Sequence, residues 1–201
     1  MHRGLGSAVH LAQLLISEAV STGDTAIDAT AGNGCDTLFL AQLVGPQGKV
    51  YAIDIQAGAL EKAALLLQNA GVLDHVVLLH GSHEELEQLV PAPVNAVIFN
   101  LGYLPGGDHN LVTTSRATEG ALVAALKMLK PGGRIGLVIY TGHPGGLEEL
   151  AVVEGLAASL DGSLYRVVRV NFINRSAQAP VVIVIEKAGV GDENQPTAKN
   201  P

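Results

Sequence analysis

A glycine turn between a short apolar run and a helix is the feature that most constrains this chain. The turn, Asp28-Ala-Thr-Ala-Gly-Asn-Gly34, follows the first apolar run, and Asp54 closes the next such run. Glycines let backbone N–H groups approach a ligand, and the N-terminus of the following helix adds the positive end of a dipole. A carboxylate after the second strand can accept hydrogen bonds from both hydroxyls of a ribose. The pair therefore predicts a site for a nucleoside-bearing cofactor.

The rest of the pattern predicts one α/β domain over residues 1–188. Its 48% hydrophobic and 15% charged residues suit strands that are buried on both faces. Alternating helices and strands indicate a parallel, doubly wound sheet, and the short connection before the last strand makes that strand antiparallel. Residues 189–201 are polar and contain Pro and Gly, so we expect a disordered tail. Spacing alone does not fix the strand order.

The periodicity also gives approximate element bounds. A turn at Lys130-Pro-Gly-Gly133 should separate the fifth helix from the fifth strand. We expect helices at 7–20, 35–43, 57–70, 84–89, 113–129 and 147–160, and strands at 25–28, 49–54, 76–80, 96–100, 134–140, 165–172 and 181–186.

Composition limits the location and the partners. The single cysteine, Cys35, allows no intrachain disulfide and no cysteine-based metal cluster, and it favours a reducing cytoplasm. We find neither an apolar run of membrane-spanning length nor a signal peptide. The net charge of −7 argues against broad, non-specific binding of nucleic acid. A basic cluster of Arg166, Arg169 and Arg175 is either a solvated strand edge or a surface that contacts phosphate.

The turn favours a methyl donor over a dinucleotide. Thr37 occupies the third glycine position of the dinucleotide motif, whereas Asp28, Gly32 and Gly34 form D-x-x-x-G-x-G, which resembles motif I of class I S-adenosylmethionine methyltransferases. Asp54 then fits motif II. The resemblance implies a Rossmann-like fold with strand order 3-2-1-4-5-7-6. Asp28 would favour the ammonium group of the cofactor or order the loop by accepting backbone hydrogen bonds.

The candidate cofactor site collects residues from the ends of four predicted strands. We place His83 near the adenine ring, with a neighbouring role at a helix cap as the alternative. The full set is Asp28, Gly32, Asn33, Gly34, Asp36, Thr37, Asp54, Ile55, Ser82, His83, Asn100 and Leu101.

The loop after the fourth strand indicates the chemistry. Ligands lie beyond the carboxyl ends of strands in open α/β sheets, so this loop should face the cofactor. Asn100 and Tyr103 have the spacing of the N-P-P-Y motif and resemble methyltransferases that act on nitrogen, in which the Asn carboxamide holds the amine. Leu101-Gly102 replaces the two prolines. This departure suits a nitrogen other than the planar amines of adenine or cytosine.

Three segments resemble a bacterial family labelled "putative rRNA methylase" (YtqB-like). They are Asp28–Ala41, Phe99–His109 and Gly142–Glu149, and the resemblance extends to about Lys187. It implies methylation of 5-aminomethyl-(2-thio)uridine at the tRNA wobble position to the 5-methylaminomethyl product. Thr141 departs from the pattern, in which we expect His.

The catalytic candidates are Asn100, Tyr103, Asp108 and His143. Aligning an amine with the sulfonium methyl can supply on the order of 7–11 kcal/mol, and an amine that is protonated at neutral pH must lose a proton. Asp108, beside Asn100, is the preferred amine anchor. His143 and His109 are candidate bases, with surface or capping roles as the alternative. Tyr103 either stacks on the uracil or packs the loop.

The expected partner is a tRNA anticodon loop, whose bases are already single-stranded. A homodimer is a further expectation. The rival interpretations are an rRNA or small-molecule amine methyltransferase, a non-catalytic binder of the cofactor, and a nicotinamide dehydrogenase.

Overall fold

The structure, a computed structural model, describes residues 7–91, 93–102, 113–176 and 178–189. Within these ranges the chain forms seven strands and six α-helices. The strands are β1 (Thr25–Asp28), β2 (Lys49–Asp54), β3 (Val76–His80), β4 (Val94–Leu101), β5 (Leu129–Ile139), β6 (Tyr165–Val170) and β7 (Val181–Lys187). The helices are α1 (Ala8–Ser17), α2 (Cys35–Val44), α3 (Ala57–Asn69), α4 (Leu86–Leu89), α5 (Ser115–Met128) and α6 (Gly146–Ser159).

All seven strands form one sheet in the order β3-β2-β1-β4-β5-β7-β6. β7 pairs antiparallel with both β5 and β6, and the pairs among β1 to β5 are parallel. The order and the antiparallel last strand that the methyltransferase resemblance implied are therefore confirmed. The carboxyl ends of β1, β2, β3 and β4 lie at the same edge, as ligand sites in such sheets require.

The sheet is covered on both faces by helices. Side chains alternate along a strand, so Val97 and Phe99 of β4 enter one core while Ala96 and Ile98 enter the other. The first core also takes apolar residues from α5 and α6, and the second takes them from α1, α2 and α3. Burial on both faces explains why the central strands are nearly continuous apolar runs.

The helix α1 is fixed firmly on the sheet. Ser7 caps it by accepting a hydrogen bond from the backbone N–H of His10, and its residues Ala8 and Ala12 pack against β5 and β7. The guanidinium of Arg134 donates to the carbonyl of Leu15 at 2.5 Å. Because the same guanidinium also binds Glu18 and Glu186, α1 is tied at both its apolar face and its last turn.

The predicted turn at 130–133 is wrong. β5 already begins at Leu129, which pairs with Val94, and the register shifts before Arg134 pairs with Ala96. The shift places the four residues 130–133 of β5 opposite the single residue Asn95 of β4, which resembles a large β-bulge. A side chain on Gly133 would lie 2.7 Å from the carbonyl oxygen of Asn95, so only glycine permits this close approach.

The predicted domain bounds stay a prediction. Apart from Gly189, the expected tail lies outside the described residues. In the described ranges, we find no helix that is long and apolar enough to cross a membrane.

Candidate functional site

A cavity of about 490 Å³ opens at the carboxyl ends of β1 to β4. This volume lies in the range of roughly 300–1,000 Å³ that is typical of small-molecule sites. Of the predicted cofactor residues, the cavity is lined by Gly32, Asn33, Asp36, Asp54, Ile55, Ser82, His83 and Asn100. The other four, Asp28, Gly34, Thr37 and Leu101, lie outside the lining.

The two glycines of the turn have different surroundings: Gly34 packs against a helix, and Gly32 lines the cavity. Gly34 has a φ of +86°, and a side chain there would lie 2.8 Å from the Cβ of Ala63. Gly34 therefore allows α2 to begin close against α3, without lining the cavity. Gly32 does line the cavity, and its N–H donates to the carboxylate of Asp54 at the end of β2.

Asp54 ties the turn to the end of β2. One carboxylate oxygen accepts from the backbone N–H of Gly32 at 2.8 Å, and the other accepts from the N–H of Gln56 at 2.8 Å. The residue is half-buried and lines the cavity. Because each carboxylate oxygen can accept more than one hydrogen bond, Asp54 can also bind two ribose hydroxyls.

Asp28 is completely buried behind the turn. Its carboxylate accepts from the hydroxyl of Thr37 at 2.6 Å and from the backbone N–H of Thr30 at 3.2 Å. Burial, with the charge of Asp36 as a second cause, raises the pKa of Asp28 to about 7. The sequence suggested that Asp28 either binds the ammonium group of the cofactor or orders the loop. The hydrogen bond from the backbone N–H of Thr30 is of the kind that the second role requires.

Asn100 and Asp36 meet in the cavity although they are far apart in the chain. The side-chain amide nitrogen of Asn100 donates to one oxygen of Asp36, and Gln13 Nε2 donates to the other at 2.6 Å. Asn100 Oδ1 is buried and has no hydrogen-bond partner among the described residues. Burial raises the pKa of Asp36, while the two amide donors lower it. The Asn100 side chain therefore keeps one buried acceptor that Asp36 does not use, on a residue that lines the cavity.

His83, Ser82 and Ile55 form another part of the wall. Ser82 completes a capping box with Glu85, as the alternative interpretation of this segment expected. His83 is only 8% exposed, its Nε2 lacks a partner in the part of the chain that the structure describes, and burial lowers its pKa. A neutral imidazole with a buried nitrogen can hydrogen-bond a heterocycle, and Ile55, 47% exposed, adds an apolar surface to the same cavity.

Of the remaining catalytic candidates, His143 is the one within the described residues. His143 does not line the cavity, but a side chain on the cavity residue Gly102 would lie 3.6 Å from its Nε2. His143 Nδ1 lies 2.9 Å from the carbonyl oxygen of Pro144. Tyr103 and Asp108, with His109, lie outside the described residues.

Gln13 and Thr113 are among the residues at the site that the sequence analysis missed. Gln13 lies in the first helix, where its spacing predicts only a polar face, and it touches the cavity residue Asp36. Thr113 lines the cavity, and its hydroxyl donates at 2.9 Å to Glu149, a carboxylate buried in α6. No local pattern signals either contact, because each joins separate elements.

The three arginines of the predicted basic cluster contact the protein itself. Arg166 pairs with Glu186 at 3.3 Å, Arg169 pairs with Glu154 at 2.5 Å, and Arg175 lies over the ring of Phe172. This arrangement favours the solvated strand edge over a shared phosphate-binding patch.

Known proteins resemble this chain in sequence. Residues 50–186 match the family described as "Putative rRNA methylase". An Arabidopsis thaliana protein named "tRNA (mnm(5)s(2)U34)-methyltransferase, chloroplastic" is 42% identical over 194 residues, which are 92% of this chain and 70% of that protein.

Solved structures resemble it in fold. A "putative rRNA-methylase" from Clostridium thermocellum has a TM-score of 0.89 and 38% identity, covering 92% of this chain and all of that one. A "putative methyltransferase" from Streptococcus mutans, solved in complex with SAH, has a TM-score of 0.82 and 32% identity, covering 93% of this chain and 99% of that one.

Proposed function

Since the chain belongs to the "Putative rRNA methylase" family, we propose that it methylates the aminomethyl nitrogen of 5-aminomethyl-(2-thio)uridine at the tRNA wobble position. The methyltransferase activity and the S-adenosylmethionine cofactor that the sequence predicts are confirmed by its relatives. The observation that carries the choice of an amine is the buried, unpartnered Oδ1 of Asn100. This atom can accept a hydrogen bond from an amine N–H.

The cavity fits the cofactor. S-adenosylmethionine, when bound, supplies a methyl group made electrophilic by a sulfonium charge. Asp54 would hold the ribose, while His83 and Ile55 would hold the adenine. Asp36 and Asp54 give the cavity a negative character, which favours a cationic ligand. The unpartnered nitrogen of His83 and the oxygen of Asn100 are the polar atoms that a ligand would satisfy.

Asn100 would orient the substrate. With Oδ1 accepting one N–H, the amine lone pair is directed away from the wall and into the cavity, and such alignment can supply on the order of 7–11 kcal/mol. The ammonium form must lose a proton before it reacts. We propose Asp108 as the anchor, His143 as a candidate base and Tyr103 as the contact to the uracil ring.

An anticodon loop is the proposed partner, because its wobble base needs little unstacking to enter the cavity. The single cysteine supports a cytoplasmic location. The homodimer stays a prediction, which sedimentation of the purified protein would test.

The experiment uses tRNA that carries the 5-aminomethyl group and tRNA that lacks it. We expect labelled donor to convert only the first, with the methylaminomethyl nucleoside identified by mass spectrometry. Ribosomal RNA and small amines serve as competing substrates. Transfer only to those competitors, or donor binding with no transfer to any of them, would overturn the proposal.

A further inference from the structure

We propose that Gln13 is a positioning residue, which holds the Asp36 carboxylate so that Asn100 keeps its oxygen towards the cavity. Gln13 lies on α1, outside the glycine turn and outside the strand ends that build the cofactor site. The catalytic value of the arrangement rests on the proposed function, in which Asn100 Oδ1 accepts from the target amine. The arrangement itself can be measured without any substrate.

The orientation of Asn100 is decided by its neighbour. A carboxamide has nearly the same shape after a half-turn, so its oxygen and nitrogen can exchange places unless a hydrogen bond selects one of them. Asp36 selects the nitrogen, because an amide oxygen facing a carboxylate would bring two acceptors together. The oxygen is therefore the end of the amide that Asp36 does not hold. It is buried, belongs to a residue that lines the cavity, and has no partner among the described residues.

Asp36 needs the second donor. It is 7% exposed, and its side-chain donors within the described ranges are the two neutral amides of Gln13 and Asn100. The buried Asp28 adds a second carboxylate behind it. Without Gln13, one oxygen of Asp36 is unsatisfied, which favours its protonated form. A protonated Asp36 can donate to Asn100 Oδ1, and the amide then loses its preferred orientation.

The position of Gln13 is fixed by the docking of α1. Its neighbour Ala12 is buried against the sheet, and Ile16 on the next turn is fully buried. Val9, four residues before Gln13 and on the same side of the helix, lines the cavity. The side chain thus reaches Asp36 at 2.6 Å from a backbone that cannot easily move.

The test compares Gln13→Met and Gln13→Glu with a matched control, Leu14→Gln, at a neighbouring position that is 51% exposed. Met keeps the size of Gln and removes the donors, so we expect kcat on aminomethyl tRNA to fall at least tenfold, with the donor KM changed less than threefold. The control should keep wild-type kcat. Melting temperatures show whether each variant folds.

The pH dependence separates positioning from packing. The carboxyl group introduced by Gln13→Glu can donate to Asp36 once it is protonated, so the kcat of this variant relative to wild type should rise as the pH falls from 8 to 6. The relative kcat of Gln13→Met should fall over the same range, because Asp36 protonates more easily without its donor. Parallel pH profiles, or wild-type kcat in both variants, would overturn the inference.

A second measurement does not depend on the substrate. The side-chain amide protons of Asn100, assigned by their loss in Asn100→Asp, should exchange with solvent at least tenfold faster in Gln13→Met than in wild type. If wild type fails to methylate aminomethyl tRNA but this difference is seen, the proposed function is wrong and the positioning role stands. Equal exchange rates in Gln13→Met and wild type would contradict the positioning role, whatever the substrate is.

Discussion

The two ends of the cavity differ in how their polar atoms are satisfied. At the end formed by β1 and β2, the carboxylate of Asp54 already accepts hydrogen bonds from backbone N–H groups, as does that of Asp28, which is buried behind the turn. At the end formed by β4, Asn100 leaves a buried oxygen without a partner among the described residues. An unsatisfied buried acceptor costs about 1–3 kcal/mol. The first end thus keeps its shape without a ligand, whereas the second becomes satisfied only when a donor group arrives.

The largest expected effect follows from removing the unsatisfied acceptor. We expect Asn100→Ala to lower kcat by about 10²–10³, the loss typical when one oriented polar group leaves a catalytic site, with little change in donor affinity. Asn95→Ala is the matched control, because Asn95 lies on the same strand and contacts Lys130. Steady-state methylation of aminomethyl tRNA measures both. If kcat of Asn100→Ala falls less than threefold, the unsatisfied oxygen at the β4 end is not used in catalysis, and the contrast between the two ends fails.

A smaller effect is expected at the preorganised end. Asp54→Ala removes a charged acceptor, and a hydrogen bond to a charged group contributes about 1.5–3 kcal/mol, so donor affinity should fall about tenfold to a hundredfold. Calorimetric titration with S-adenosylmethionine measures the change, and Asp74→Ala, a carboxylate outside the cavity, is the control. Unchanged affinity would remove Asp54 from the ribose site.

The smallest effect concerns stability at the same end. The folded pKa of Asp28 is about 7, above the ordinary value of 3.8, so the folded protein holds this proton more tightly than the unfolded chain. Its contribution to stability is therefore fully present below the ordinary value and is lost as the pH rises through about 7. Asp28→Asn should gain stability relative to wild type between pH 5 and 7, by about 1 kcal/mol or more. Urea unfolding at several pH values measures this difference, with Asp74→Asn as control, and a pH-independent difference would contradict the raised pKa.

The sequence was sufficient where the signal is local. The glycine turn and Asp54 at its strand end depend on residues close together in the chain, and the structure has each where the pattern places it. The helix cap next to His83, which the sequence offered as an alternative, is also present. The antiparallel last strand followed from a short connection, while the strand order came from the family resemblance.

What the sequence could not show depends on contacts between distant segments. Gln13 and Asn100 reach Asp36 from two other elements, and no periodicity brings the three together. The bulge at the start of β5 likewise depends on Asn95 of a neighbouring strand, which is why Gly132 and Gly133 looked like a plain turn. The motif suggested that Asp28 could contact the ligand, but the residue is fully buried. This burial is set by the packing of the whole sheet, which a local motif does not reveal.

The docking of α1 has a consequence for synthesis on the ribosome. Ala8 and Ala12 pack against Val138 of β5 and against Val182 and Val184 of β7, which is translated long after α1. Part of the docking surface of this helix is therefore missing until β7 has been made. Since Gln13 belongs to that helix, a growing chain should hold Asp36 in its final arrangement only after β7 has left the ribosome.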